Sequence, residues 1–343
     1  MTVVAFGELL LRLKAPGTER LLQGPALEAS FGGAEFNVLA LLSRLGVATE
    51  YVSVLPSTAL GAAAGAEIRR HGVGARHVAE VDGRLGLYFL ESGAGLRPAR
   101  VDYDRAGSAF ARLQAGRIDW PAILRGARWL HLTGITAALG DEPAAAMTQA
   151  ARAACALGVP VSLDVNWRQQ LWGAAAAQAH AVLAPVLECC TLLFAGVAER
   201  AACLGESAGA ADDVVNHADA DFEPFAQRLL GRHPRLRAVV STLRRARSAE
   251  EQTLGAVCLD RGAGLQRAAE LRIAAVVDRI GSGDAFVGGC LFGTLSDWPW
   301  QRTLPFALAA AALKHSIVGD IACITRAEIE AAVDGTAAGR VLR

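Results

Sequence analysis

What most restricts the fold of this 343-residue chain is a rhythm: short runs rich in β-branched residues alternate with longer Ala/Leu segments at helical spacing. The runs predict strands at Val3–Phe6, Glu50–Val54, Trp129–Leu132, Val159–Asp164, Thr191–Phe194, Ala238–Ser241, Ala256–Leu259 and Ile273–Val277. Helices are predicted over Ala34–Leu45, Ala59–His71, Glu142–Leu157, Gln178–Leu187, Pro224–Leu230, Asp284–Leu295, Leu304–His315 and Arg326–Val333. Strands separated by helices must be joined by crossovers. The pattern is therefore α/β, a doubly wound, mostly parallel sheet with helices on both faces. Ligands of such sheets bind beyond the carboxyl ends of the strands. One large domain over residues 1–343 accommodates the length.

One stretch breaks the rhythm. Leu85–Glu91 and Arg100–Tyr103 are extended segments flanking Gly93 and Gly95, with no helix between them, which is a hairpin pattern. With part of Leu10–Phe31 they predict a small β-lid, formed within about 10–32 and 84–105, over a site on the main domain. Gly205–Phe222, rich in Gly, Ala, Asp and Asn, is expected to be a solvated surface excursion without chemistry.

Composition removes whole classes of function. Hydrophobic residues form 52% of the chain and charged residues 20%, enough apolar surface for a large core. The 34 Lys+Arg cancel the 34 Asp+Glu, so no global field draws nucleic acid or an anionic membrane, and any anion must meet a local site. Lys14 and Lys314 are the only lysines; the arginine excess suits bidentate contacts and follows equally from base composition. The seven cysteines are odd in number and form no C-x-x-C pair, as for buried thiols in a reducing compartment. No basic segment followed by a long apolar stretch opens the chain. The most apolar window, Gly173–Ala198, is broken by Gln178, His180, Pro185 and Glu188. A cytoplasmic protein without nucleic-acid or membrane partners is expected, with a homo-oligomer as its state.

The sequence contains no G-x-x-x-x-G-K-[ST], G-x-G-x-x-G or H-E-x-x-H. Gly205–Gly209 matches G-x-S-x-G, but a nucleophile elbow needs a strand before the serine, and Arg200–Leu204 has a helical pattern. The informative segment is Val276–Gly289. Its predicted strand ends near Val277, Gly281-Ser282-Gly283 form a turn, and an apolar helix opens at about Asp284. Backbone N–H groups converge at such a helix start and bind phosphate or a developing anion. A carboxylate beside that hole can take a proton from an attacking hydroxyl. The residues alone leave open whether Asp284 does this or caps its helix.

Asp278-Arg-Ile-Gly-Ser-Gly-Asp284, with Phe286 and Gly288-Gly289, resembles the carboxyl-terminal signature of the ribokinase/PfkB carbohydrate kinases, D-x-x-G-x-G-D. Phe31-Gly-Gly-Ala-Glu-Phe-Asn37, followed by a helix ending Arg44-Leu-Gly46, resembles the amino-terminal signature of the same family. The resemblance implies a ribokinase-like fold, Asp284 as base beside the Gly281–Ser282–Gly283 anion hole, and Mg²⁺-dependent phosphoryl transfer from ATP to a sugar hydroxyl. Leu130–Thr136, Tyr103–Ser108, Asp164–Arg168 and Lys314–Asp320 resemble the 2-keto-3-deoxygluconate kinases within it. That closer likeness implies a sugar-acid substrate contacted by Gly33, Tyr88, Tyr103, Arg105 and Arg168, with Asn37 available for a sugar hydroxyl. A carboxylate suits an arginine pair, although Arg105 and Arg168 are equally able to form ion pairs of their own, and the tyrosines to pack as strand residues. The resemblance places ATP against Asn166, Thr242, Arg244, Gly281, Gly283 and Lys314.

The chain departs from the family at one point. Where Asn-x-x-Glu is usual for Mg²⁺ placement, it reads Gly196-Val-Ala-Glu199, leaving Glu199 to act through water. Two alternatives stay open: a kinase for a neutral sugar such as fructose or ribose, and a sugar-binding relative without turnover.

Overall fold

The computed structural model describes residues 2–206 and 221–336. Among these residues the strands are β1 Thr2–Phe6, β2 Leu10–Lys14, β3 Glu28–Gly32, β4 Thr49–Pro56, β5 Gly74–Val81, β6 Leu87–Glu91 and β7 Arg100–Asp104. They continue as β8 Ala127–Thr133, β9 Val161–Asp164, β10 Leu192–Phe194, β11 Ala238–Ala246, β12 Gln252–Asp260 and β13 Gly264–Ile273. The main sheet has nine strands in the order β13-β12-β11-β10-β9-β8-β1-β4-β5. All its pairs are parallel except β11–β12 and β12–β13. The chain runs outward from β1 to β4 on one side and to β8 on the other, so the strand order reverses at β1 and opens a crevice there.

Both faces are covered. Along β1, Val3 and Ala5 join the apolar cluster that holds Phe36, Leu39 and Leu291, while Val4 and Phe6 join the one holding Trp120, Leu130 and Leu183. This two-residue alternation of apolar side chains puts hydrophobic residues at every position of a central strand. The helix Ser282–Leu295 is buried almost all round, between the helices Ala34–Arg44 and Trp300–Lys314. A second sheet of four strands, order β3-β2-β6-β7, forms the lid, with β2 and β6 parallel and the outer pairs antiparallel. Among the described residues no helix is long and apolar enough to cross a membrane.

Two expectations are corrected, and one strand was not anticipated. Ile273–Val277 is not a strand: β13 ends at Ile273, whose partner Gln252 opens β12, so no ladder remains beyond it. Val276 instead donates to the Glu250 carbonyl and Val277 to that of His315, and Val277 is 52% exposed. β5 has no run of apolar residues to betray it, since a half-exposed edge strand needs none. Phe222, placed in a surface excursion, is buried at the head of the helix Phe222–Arg232; residues 207–220 of that excursion lie outside the described residues.

Candidate active site

The carboxyl ends of β1, β9 and β10 and the middle of β11 deliver Glu8, Asp164, Gly196 and Thr242 to one region, and the lid stands over it. A cavity of about 410 Å³ opens there, lined by residues of the main sheet, the lid and the start of the Ser282–Leu295 helix. It brings together both segments that resemble family signatures, about 250 residues apart in the chain.

Gly281 precedes that helix with φ +81°, and a Cβ there would lie 1.8 Å from the Asp320 carbonyl oxygen, so glycine is required twice over. The first-turn amides have no acceptor within the helix. Asp284 does not cap it. Its Oδ2 accepts a hydrogen bond from Asn37 Nδ2 at 2.6 Å. Burial pushes the Asp284 carboxyl up to about 7, against the opposing Asn37 amide; Asp320 adds to the rise, while Arg168 opposes it. A buried carboxyl titrating near neutrality is suited to accept a proton.

Asn37, expected to meet a sugar hydroxyl, lines the cavity with its amide donated to Asp284. Its Oδ1 accepts from Gly33 N at 3.4 Å, and a Cβ on Gly33 would lie 2.4 Å from the Glu8 carbonyl oxygen. Tyr88 and Tyr103 face each other across β6 and β7, ring centroids 6.1 Å apart, and both line the cavity. The Tyr88 hydroxyl is already donated to Asp320 at 2.6 Å. Arg105 lines the cavity as well, but Nε donates to Glu8 Oε2 at 2.8 Å and Nη2 stands 2.7 Å from the same oxygen in a buried ion pair. Arg168, after β9, is exposed at the wall, donates to the Trp167 carbonyl, and acts on the carboxyls of Asp164 and Asp284.

Around the other wall stand Asn166, Thr242 and Arg244. Burial, with Arg279 and Arg168 as neighbouring cations, brings the Arg244 guanidinium down to about 10. Arg244 and Arg279 make no ion pair with a carboxylate among the described residues, leaving a patch of positive charge on the wall. Lys314 does not line the cavity. Its buried ammonium donates to the carbonyls of Ile317 at 2.9 Å and Asp278 at 3.3 Å, bracing the loop that leads to Gly281. Gly283 lines the cavity, and a Cβ there would meet open space. Glu199 Oε2 accepts from Gly196 N at 2.8 Å.

Reasoning from sequence missed Asp164 as a member of the site. Burial raises its carboxyl to about 8, the Asp284 charge adds to this, Arg168 opposes it, and Glu199 raises it further. Its position at the end of a central strand was the available signal. Glu35 was also missed; it is buried and accepts from Thr133 Oγ1 at 2.6 Å and Thr136 Oγ1 at 2.7 Å.

The profile of the pfkB family carbohydrate kinases matches residues 2–327. The chain belongs to that family. It is a sugar kinase, transferring a phosphoryl group to an alcohol. A 2-dehydro-3-deoxygalactonokinase of Haloferax volcanii is 32% identical to this kinase over 98% of each chain. The crystal structure of a 2-dehydro-3-deoxygluconokinase of Thermotoga maritima is 36% identical, covers 98% of this kinase and 100% of that chain, and superposes with a TM-score of 0.90. A 2-dehydro-3-deoxygluconokinase of Thermoproteus tenax is 28% identical over 93% of this kinase and 90% of its own length. The ribokinase-like fold expected from the signatures is thus the fold observed.

Proposed function

We propose that this kinase uses ATP to phosphorylate the 6-hydroxyl of a 2-keto-3-deoxy sugar acid, 2-keto-3-deoxygluconate being the substrate of choice. The observation that carries the reading is a single cavity in which Asp284, titrating near 7, shares walls with Arg105 and Arg168 beneath the lid tyrosines. The names of the relatives support a sugar acid, and they divide between the gluconate and galactonate types.

When bound, ATP supplies the phosphoryl group and Mg²⁺ offsets its charge. Asp284 takes the proton from the acceptor hydroxyl, and the Asn37 amide holds its carboxylate in place. The amide N–H groups after Gly281 donate hydrogen bonds to the negative charge on the transferred group. Arg244 and Arg279 supply further positive charge to the nucleotide phosphates, and Asn166 and Thr242 border the same space. Among the described residues no group of three or more Asp, Glu, His or Cys is placed to hold a metal ion. The donors present, Asp164 and Glu199, fit an ion that keeps its waters and arrives on the nucleotide.

The Arg105–Glu8 ion pair favours a second reading, a neutral sugar, because it already compensates one of the two cations. A coupled assay with ATP and a panel of keto-deoxy, aldonic and neutral sugars separates the two. Highest kcat/KM for a keto-deoxy acid supports the proposal. A neutral hexose or pentose at the top of the panel overturns it.

A further inference from the structure

Behind the cavity lies a buried charge cluster that no step above uses. Arg12, on lid strand β2, is 1% exposed and donates Nη1 to Asp320 Oδ1 at 2.7 Å and Nη2 to Asp278 Oδ2. These partners lie 308 and 266 residues away in the chain. Period-two alternation in Leu10-Leu-Arg-Leu-Lys14 turns Arg12 and Lys14 inward with Leu10, where a charge would ordinarily be excluded.

Each carboxylate has a second task. Asp278 accepts from Ile280 N and Gly319 N, each at 3.1 Å, and so shapes the loop entering Gly281. Asp320 accepts from the hydroxyl of Tyr88, the residue paired with Arg12 across β2 and β6, and its backbone packs against Gly281. The Lys314 ammonium holds the Asp278 carbonyl, so two cations balance two anions. The Arg12 guanidinium thus ties β2, and the Tyr88 hydroxyl ties β6, to the loop that presents the first-turn amides. A fork that spans two carboxylates is a geometry an ammonium does not reproduce.

We propose that Arg12 is a positioning residue for phosphoryl transfer: by bridging Asp278 and Asp320 it holds the Gly281–Asp284 turn in register with the lid. This rests on the reading of that turn as the phosphoryl site. Displacement of about 1 Å at a reacting centre is enough to cost ~10²-fold in rate. Because the amides act on charge that develops in the transition state, the loss should fall on kcat.

The test uses the full-length chain with Arg12→Lys, Arg12→Ala and, separately, Asp284→Asn. Arg12→Lys should melt within ~3 °C of the parent. It should lose ~10–100-fold in kcat for sugar-acid and neutral acceptors alike, with both KM values within ~3-fold. Arg12→Ala should regain part of its kcat in millimolar guanidinium chloride and none in equal potassium chloride; if it does not fold, Arg12→Lys decides alone. Parental kcat in folded Arg12→Lys, or a loss confined to KM, overturns the proposal. Arg12→Lys that is unfolded at assay temperature overturns it too, leaving Arg12 a stability residue. Asp284→Asn with normal turnover would instead overturn the reading of the turn.

Discussion

At the residue scale, the chemistry depends on how one carboxyl is held. Burial raises Asp284 to about 7 and the Asn37 amide at 2.6 Å pulls the other way, because a donated hydrogen bond favours the ionised form. As the proposed base, Asp284 would act deprotonated, so kcat/KM should rise with pH through a limb near 7. In Asn37→Ala the carboxylate loses its donor and its pKa rises further. The limb should then move upward, with activity depressed at neutral pH and recovered in alkaline buffer. A pH profile of kcat/KM checks this, and a limb that stays where it was would mean that Asn37 does not tune the base. The case also shows what residue types could not tell. A D-x-x-G-x-G-D pattern announces the carboxylate, but the amide that tunes it lies 247 residues away and forms its bond only through the fold.

At the element scale, the strands read most readily from sequence were the central ones. β1, β8 and β9 are buried on both faces and announce themselves as apolar runs. β13 and β5 escaped because in these half-exposed edge strands polar residues such as Arg76, His77, Gln266 and Arg267 break up the apolar run. The pair Val276-Val277 misled for the converse reason: β-branched residues suit a ladder but do not supply a partner strand. The turn at 281–284 allows a sharper expectation than its sequence did. Left-handed backbone and close packing fall on Gly281, whereas Gly283 is neither strained nor crowded. Gly281→Ala should therefore destabilise the protein by about 1–3 kcal/mol or more, through φ strain and collision with Asp320. Gly283→Ala should fold at least as well as the parent, since alanine favours a helix by up to ~1 kcal/mol, yet lose kcat/KM if phosphate approaches there. Thermal melts paired with kinetics distinguish the two positions; equal melting losses would show that the conformational argument is misplaced.

At the scale of the whole molecule, the sheet, the lid and the helix start meet around one cavity, and the lid contributes Tyr88 and Tyr103 to its lining. Arg105 and Arg168 were the sequence-level reason to expect an acid, and the structure makes them unequal. Arg105 is buried on Glu8, so deleting it strands a buried carboxylate and costs about 3–5 kcal/mol of stability whatever the substrate. Arg168 is exposed at the wall, with one hydrogen bond to a neighbouring carbonyl, and gives the cleaner test. If it grips the acceptor carboxylate, Arg168→Met should lose a charge-assisted hydrogen bond of ~1.5–3 kcal/mol, or roughly 10–150-fold in kcat/KM for the keto-deoxy acid. A neutral sugar used slowly should lose far less, because it offers no charge to leave unpaired. Arg168→Lys should restore only part of the difference, since an ammonium keeps the charge without the planar fork. The decisive quantity is the ratio of the two losses, which a general disturbance of the fold would leave at one. A ratio near one in stably folded Arg168→Met would move Arg168 to the nucleotide side with Arg244 and Arg279, whose charges it already adjoins.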